Sequence, residues 1–527
     1  MKKVLAMLLA LCMMLGVAGM AAAEEEIVTL KWVTVGNGMP ANYDSWIAQV
    51  NEYVGEKIGV NIEMQVIGWG DWEPRRNVII NTNEPYDIIF GNDATYNNDV
   101  RLGAYYEITE EDLNTYAPGL LELIPADYWD AVRVNGKIYA VPSYKDSSMT
   151  NYFVWDKDLL DANSIDTTEM HDLAAVEETL YALKDLVSIA PFTTNGNGNG
   201  FILANYDSMS SGLPALGVRV DDESRQVVAV FEQEDIMETL TMFHKWFNDG
   251  IINADAAVLA EVPSYRPFYV AQGWPYAAVS TWGPSMGVNA IAVQLGDTIL
   301  SNVTVQGSLN SISINCAHPD KALEFLNLIN TDSYVRDLFA YGEEGVDWEY
   351  NEQGLITRHN PAWDIPAYTQ GTFFNLTQET EYNQYEEEVR PLNDNAVPSV
   401  MLGFFFDTTN VQDQLASCIE IYNRYKNEVL TGTTDPATSV PQMMEEMRAA
   451  GFDEIVAEAQ TQIDAWVELT AEEPAAEEPA TETEEPAAET ETETEEPAAE
   501  TEEPAAEPEE TEEPAAEPEE TEEPAAE

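Results

Sequence analysis

Histidine, cysteine and basic residues are scarce in this chain, and each scarcity removes a class of function. The four histidines, His171, His244, His318 and His359, never fall at the spacing to a second His or Cys that a zinc site uses. A metal-centred enzyme is therefore not expected, and neither is any other cofactor. Three cysteines, Cys12, Cys316 and Cys418, cannot build a disulfide framework in 527 residues. Lys and Arg number 23 against 96 Asp and Glu, for a formal net charge of −73. Such a surface repels phosphate backbones and anionic headgroups, which argues against nucleic-acid and lipid-surface partners. Beyond the N-terminus no stretch approaches the ~20 uninterrupted apolar residues that cross a bilayer.

What is present divides the chain into three parts. Lys2 and Lys3, the apolar run from Val4 to Val17, and Ala21 to Ala23 before Glu24 read as an export signal over residues 1–23. Leu9-Ala10-Leu11-Cys12 has the leading leucine of a lipid-attachment site. The bulky Leu11 stands where such sites take a small residue, and the apolar run continues past Cys12, so free secretion is favoured over a lipid anchor. At the other end, residues 471–527 hold 26 Glu and no Lys, Arg or Asp, in variants of Thr-Glu-Glu-Pro-Ala-Ala-Glu. Without aromatic or branched apolar residues this segment cannot bury enough surface to fold, and it is read as a disordered, self-repelling tail. Setting it aside leaves −47 for residues 1–470, a body rich in Trp, Tyr and Phe and too long for one core.

Within the body, Ile27–Val35 alternates like a strand and ends in Gly36-Asn37-Gly38. From Asn42 to Ile58, Trp46, Val50, Tyr53 and Val54 recur at helical spacing. Val60–Val66 and Tyr86–Phe90 are the next strands, the latter running straight into Gly91-Asn92-Asp93. Strand, helix, strand, helix, strand predicts a parallel α/β sheet, whose ligands gather at the carboxyl ends of the strands. That makes Asn37, Asn92 and Asp93 candidate site residues, although Asn, Asp and Gly also occur there simply as loop formers. Asn135-Gly136 predicts a type I′ hairpin turn, and Lys137–Val141 a returning strand stopped by Pro142. The cluster Ser143, Tyr144, Lys145 and Asp146 that follows marks either a domain crossover or an ordinary surface hairpin. Further along, Thr167 or Thr168 is expected to cap a helix through Leu173, Val176, Leu180 and Leu183. Asn195–Gly200 reads as a flexible loop and Asp235–Gly250 as an amphipathic helix. Tyr276–Ser280 reads as a short strand leading to Trp282. Beside Gly283, that indole is either core or well placed to stack on an apolar ligand face.

The ordered set of these pieces resembles bacterial extracellular solute-binding proteins of ABC importers, in the sugar-binding group that includes maltose-binding protein and its longer lipoprotein-like members. The resemblance is carried by Gly136–Pro142 followed by Trp155–Leu160, by Tyr86–Phe90, Gly273–Trp282 and Ser311–Leu326, and by Tyr341–Val346, Gly403–Asp407 and Ala450–Trp466. Together they cover about residues 27 to 467 in the family's order. It implies a two-lobed α/β, periplasmic-binding-protein-like fold with a hinge. Lobe 1 would comprise 27–142 with 306–340, and lobe 2 143–305 with 341–467. It further implies that Asn37, Asn92, Asp93, Tyr144, Lys145, Asp146, Trp282 and Phe405 face the interlobe cleft, with Trp69, Trp72 and Tyr341 as further candidates. The chain departs from the family in its poor lipid-attachment site and in Phe404–Phe406, where some members place a Trp.

The function so implied is that of a non-catalytic, secreted or cell-surface receptor, acting as a monomer. It would capture a small solute, foremost a carbohydrate or oligosaccharide, and deliver it to ABC permease subunits. Two alternatives remain. One is a secreted glycoside hydrolase using two of the body's 70 acidic residues, among which no local arrangement singles out a pair. The other is a peptide receptor with the same hinge. On the receptor reading, Trp282→Ala should weaken binding and leave the unliganded protein's stability unchanged.

Overall fold

Nine strands build the two largest sheets. They are β1 (Val28–Gly36), β2 (Val60–Gly68), β3 (Ile88–Gly91), β4 (Val141–Pro142), β5 (Met149–Asp156), β6 (Phe268–Gln272), β7 (Ala290–Leu300), β8 (Leu309–Ile312) and β9 (Val397–Pro398). The computed structural model describes residues 27–472, except 83 and 211. The expected signal segment 1–23, Cys12 and the tail from residue 473 on lie outside the described residues. Residues 471 and 472, assigned above to the tail, instead close the helix Phe452–Glu472.

The first sheet has the order β2-β1-β3-β8-β4, with β1 parallel to β2 and β3, and β8 antiparallel to both its neighbours. Between β1 and β2 runs the helix Tyr43–Ile58, whose Trp46, Val50 and Val54 repeat every four residues and are buried. Gly59 ends this helix at a φ of 68°, the left-handed position that glycine adopts without a Cβ penalty. Parallel strands joined by a covering helix put the carboxyl ends of β1, β2 and β3 on one edge, and β4 enters that edge beside β8. The Asn135-Gly136 turn has φ of 53° and 78°, as a type I′ hairpin requires, and pairs Arg133–Val134 with Lys137–Ile138. Pro142 is accommodated because β4 is an edge strand.

The second sheet has the order β6-β5-β7-β9. An apolar core packs on it around Phe153, Trp155, Phe243, Trp246 and Phe268, and a further core of this lobe, around Leu216, Val230, Met443 and Phe452, lies by a separate three-stranded sheet of Tyr206–Ser208, Leu216–Arg219 and Val228–Ala229. The last three helices, Gln412–Leu430, Pro436–Ala449 and Phe452–Glu472, complete this lobe. Separate cores under separate sheets make the molecule two-lobed.

Several expectations are corrected. Trp348, Ile356, Trp363 and Ile365 belong to the first lobe's core, and Trp363 packs 5.2 Å from Trp46. The passage to the second lobe therefore comes after Ile365, not at 341. The helix Leu173–Lys184 is capped by Asp172, which accepts from Ala175 N at 2.8 Å, while Thr168 is taken up in a local turn on Asp166. Tyr276–Ser280 is not a strand, because after Pro275 the small residues Ala277 and Ala278 enter a helical turn that continues through Trp282 and Gly283–Met286. Asn195–Gly200 is not a free loop either. Asn199 is fully buried, donating to Leu430 O at 2.8 Å and accepting from Thr194 Oγ1 at 2.8 Å. Cys316 packs against the first lobe's core and Cys418 lies in the second's, and both are free thiols.

Candidate functional site

Three stretches of chain pass between the lobes side by side: 143–148, 301–308 and the segment after Ile365. Ser143 N donates to Ser308 O at 3.0 Å, and Ser308 Oγ donates to Tyr368 O at 2.7 Å. Asn393 ties the last stretch to the first, accepting from Ser148 Oγ at 2.8 Å and donating to Lys145 O at 2.6 Å. Arg336 holds the 367–372 turn. Its guanidinium is fully buried and donates to Thr372 O, Ala367 O, Gly371 O and Gln370 Oε1 at 2.6 to 3.2 Å. Burial without a carboxylate in contact lowers its pKa to about 10.

These crossings deliver two groups of polar and aromatic side chains. In the first, Trp69 follows β2, is 48% exposed, and lies nearly parallel to Tyr368, with ring centroids 6.4 Å apart and planes at 23°. Lys145 Nζ sits 6.0 Å above the same Tyr368 ring and 3.0 Å from Asp146 Oδ1. Burial, and then the Asp146 charge, raise the pKa of the Tyr368 and Tyr385 hydroxyls. Asn37, exposed after β1, is fixed by its N–H donating to Asp364 O at 2.8 Å.

The second group lines a groove of about 550 Å³ between first-lobe residues 93–101 and second-lobe residues 207–214. Here Asp93 and Phe405 come together with Asn97, Asn98, Arg101 and Asp207. Burial raises the Asp93 pKa. Asp207 is 5% exposed, accepts from Ser399 Oγ at 2.8 Å, and is pushed up to about 6 by burial. Asn92, next to Asp93, closes its own turn by accepting the Thr95 hydroxyl at 3.1 Å.

Four candidates are otherwise engaged. Trp72 is buried against Phe90, and Tyr144, 1% exposed, packs between Tyr128 and Phe374. Trp282 is buried in a cluster with Tyr152, whose ring centroid lies 6.0 Å away, and the helical turn that replaces the expected strand directs it there. Tyr341 donates to Thr377 O at 2.8 Å and packs on Trp348 within the first lobe. Conversely, Tyr368, Asp207, Arg101 and Arg336 were missed. None follows a recognisable strand or turn pattern, and each reaches its place through contacts with residues distant in sequence. Among the described residues no group of three or more His, Cys, Asp or Glu side chains could hold a metal ion, and no helix is long and apolar enough to cross a membrane.

Comparison with known proteins bears on the fold and the family. The pattern of the bacterial extracellular solute-binding protein family matches residues 47–343, more than half of the chain, and that of a domain of unknown function matches residues 400–468. A carbohydrate ABC transporter substrate-binding protein of Streptococcus pneumoniae serotype 4 is 28% identical over 465 residues, 84% of this chain and 92% of its own. The crystal structure of the N-glycan transport solute binding protein NgtS from Streptococcus pneumoniae superposes with a TM-score of 0.76 at 25% identity, covering 84% of this chain and 100% of that one. NgtS in complex with Man5GlcNAc gives 0.65 at 25% identity, over 85% and 100%. With two lobes, three crossings and a polar, aromatic groove between them, the chain belongs to the bacterial extracellular solute-binding protein family.

Proposed function

We propose that this protein is an extracellular receptor that captures an oligosaccharide between its lobes and presents it, unaltered, to an ABC permease. The observation that carries the reading is the interlobe groove, where carboxylates, amides and phenyl rings from both lobes line one space. Carboxylates and amides accept and donate to sugar hydroxyls in directed pairs, and rings cover the C–H faces. Trp69 and Tyr368, with Lys145 and Asp146 beside them, offer the same chemistry at the strand ends. The relatives support a glycan as the solute: one is named for carbohydrate and the other for N-glycan transport. The fit is better to NgtS than to NgtS with Man5GlcNAc (0.76 against 0.65). That order is expected if bound glycan draws the lobes together and this chain is in the open arrangement.

Calorimetric titration with a panel of neutral oligosaccharides, followed by chromatography of the recovered ligand, tests the reading. Saturable 1:1 binding with intact ligand is expected. Release of shorter sugars at catalytic rates would replace the receptor by a hydrolase, and binding of short peptides but no sugar would replace it by a peptide receptor.

A further inference from the structure

We propose that the captured glycan is uncharged, and that the cleft rejects acidic sugars because the two cations partly exposed at its candidate positions, Arg101 and Lys145, each already stand beside a carboxylate of the chain itself. This rests on the reading of the cleft as a glycan site and goes on to name which glycans it takes.

Among the described residues lining the groove, Arg101 is the one cation. Its guanidinium is occupied: it donates to Thr409 Oγ1 at 2.8 Å and to Asn98 Oδ1 at 2.8 Å, and stands 3.7 Å from Asp407 Oδ1. Asp407 is itself fixed by the Thr409 backbone N–H at 2.9 Å, so one turn presents both Asp407 and Thr409 to Arg101 at the end of the helix Tyr96–Arg101. Against this single engaged cation the groove sets Asp93 and Asp207, neither of which has a Lys or Arg within ion-pair distance. At the strand ends the arrangement repeats. The Lys145 side chain is only 12% exposed and is held between Asp146 Oδ1 and the Tyr368 ring.

A sugar carboxylate, sulfate or phosphate is recognised by Arg or Lys with donors to spare. Here it would meet two unpaired carboxylates and no free cation, in a site partly shielded from water where like charges repel more strongly than in bulk. A neutral sugar meets the opposite situation. Its hydroxyls donate to Asp93, Asp207 and Asp146, and no charge has to be stripped of water. The −47 on residues 1–470 acts in the same direction at longer range, slowing the approach of anions.

The test is calorimetry on the full chain with short neutral oligosaccharides, Man5GlcNAc among them. Each is paired with the same sugar oxidised at terminal C6 to a carboxylate, and both are measured at low and high salt. The neutral member should bind at least about tenfold more tightly at low salt, with the ratio shrinking as salt screens the repulsion. Asp146→Asn, which frees Lys145, and Asp407→Asn, which frees Arg101, should each move the ratio several-fold towards the acidic member. Two variants are used so that a folding defect in one leaves the other to decide. An acidic member that binds as well as its neutral partner, or a preference that neither salt nor either variant moves, overturns the proposal while leaving the receptor intact. Binding of neither member across the panel overturns the glycan reading itself.

Discussion

Asp207 offers the sharpest prediction at the scale of single residues. Burial raises its pKa from the ordinary 3.8 to about 6, so between those values the folded state holds a proton that the unfolded state has released. Stability must then fall as pH rises through this window, and above it the ionised, buried carboxylate costs up to about 3 kcal/mol. Asp207→Asn keeps an acceptor for Ser399 and removes the charge. It should be more stable than the parent at pH 7 to 8, with the advantage vanishing below about pH 4, as read from denaturant midpoints across pH. A pH-independent difference would refute the assignment. The two indoles make a second prediction. Trp69→Ala removes a half-exposed ring and should weaken glycan binding by about 1–3 kcal/mol while leaving the unliganded melting temperature nearly unchanged. Trp282→Ala should instead destabilise the unliganded protein by about 3 kcal/mol or more, because it empties a packed site. That reverses what the sequence suggested for Trp282. At this scale the sequence was legible where a residue directly follows a parallel strand, and it put Asn37, Asn92 and Asp93 at the strand ends where they lie, whereas Trp69 came only from the family resemblance. It was misleading where a residue's environment depends on distant chain, since nothing local to Tyr144 or Trp72 announces that Phe374 or Phe90 will cover it.

Among the elements, the third crossing is the one whose construction is least ordinary, because a buried cation with carbonyl partners organises it. Arg336→Met would strand those carbonyl oxygens and should cost about 3 kcal/mol. Arg336→Lys keeps the charge and loses the planar fork, so it should fall between the two. Since the same turn carries Tyr368, both variants should also weaken glycan binding. Unchanged stability in urea would show that the turn is held by something else. The strands, the Tyr43–Ile58 helix and the Asn135-Gly136 hairpin were legible because their signals are local: spacing, a left-handed glycine, a turn pair. The Thr167/Thr168 cap failed because Asp166 competes for the threonine and Asp172 is the stronger cap one turn later. The Tyr276–Ser280 strand failed because a run of small residues after a proline is compatible with either periodicity, and packing of Trp282 decided it.

For the whole molecule, two sheets with separate cores joined by three hydrogen-bonded crossings make a hinge, and a hinge gives affinity only through contacts completed on closure. The two-lobed plan was readable from the order of motifs along the chain. The last crossing was misplaced because residues 348–365 look like the start of a new lobe and instead return to the first through Trp348 and Trp363, whose indoles donate to Gly342 O and Phe339 O. Solution scattering of the full chain with and without a saturating oligosaccharide reads closure of the lobes, since the tail is common to both samples. A smaller radius of gyration is expected in the bound state, with the sugar recovered intact. An unchanged radius at full occupancy, or a cleaved sugar, would contradict it.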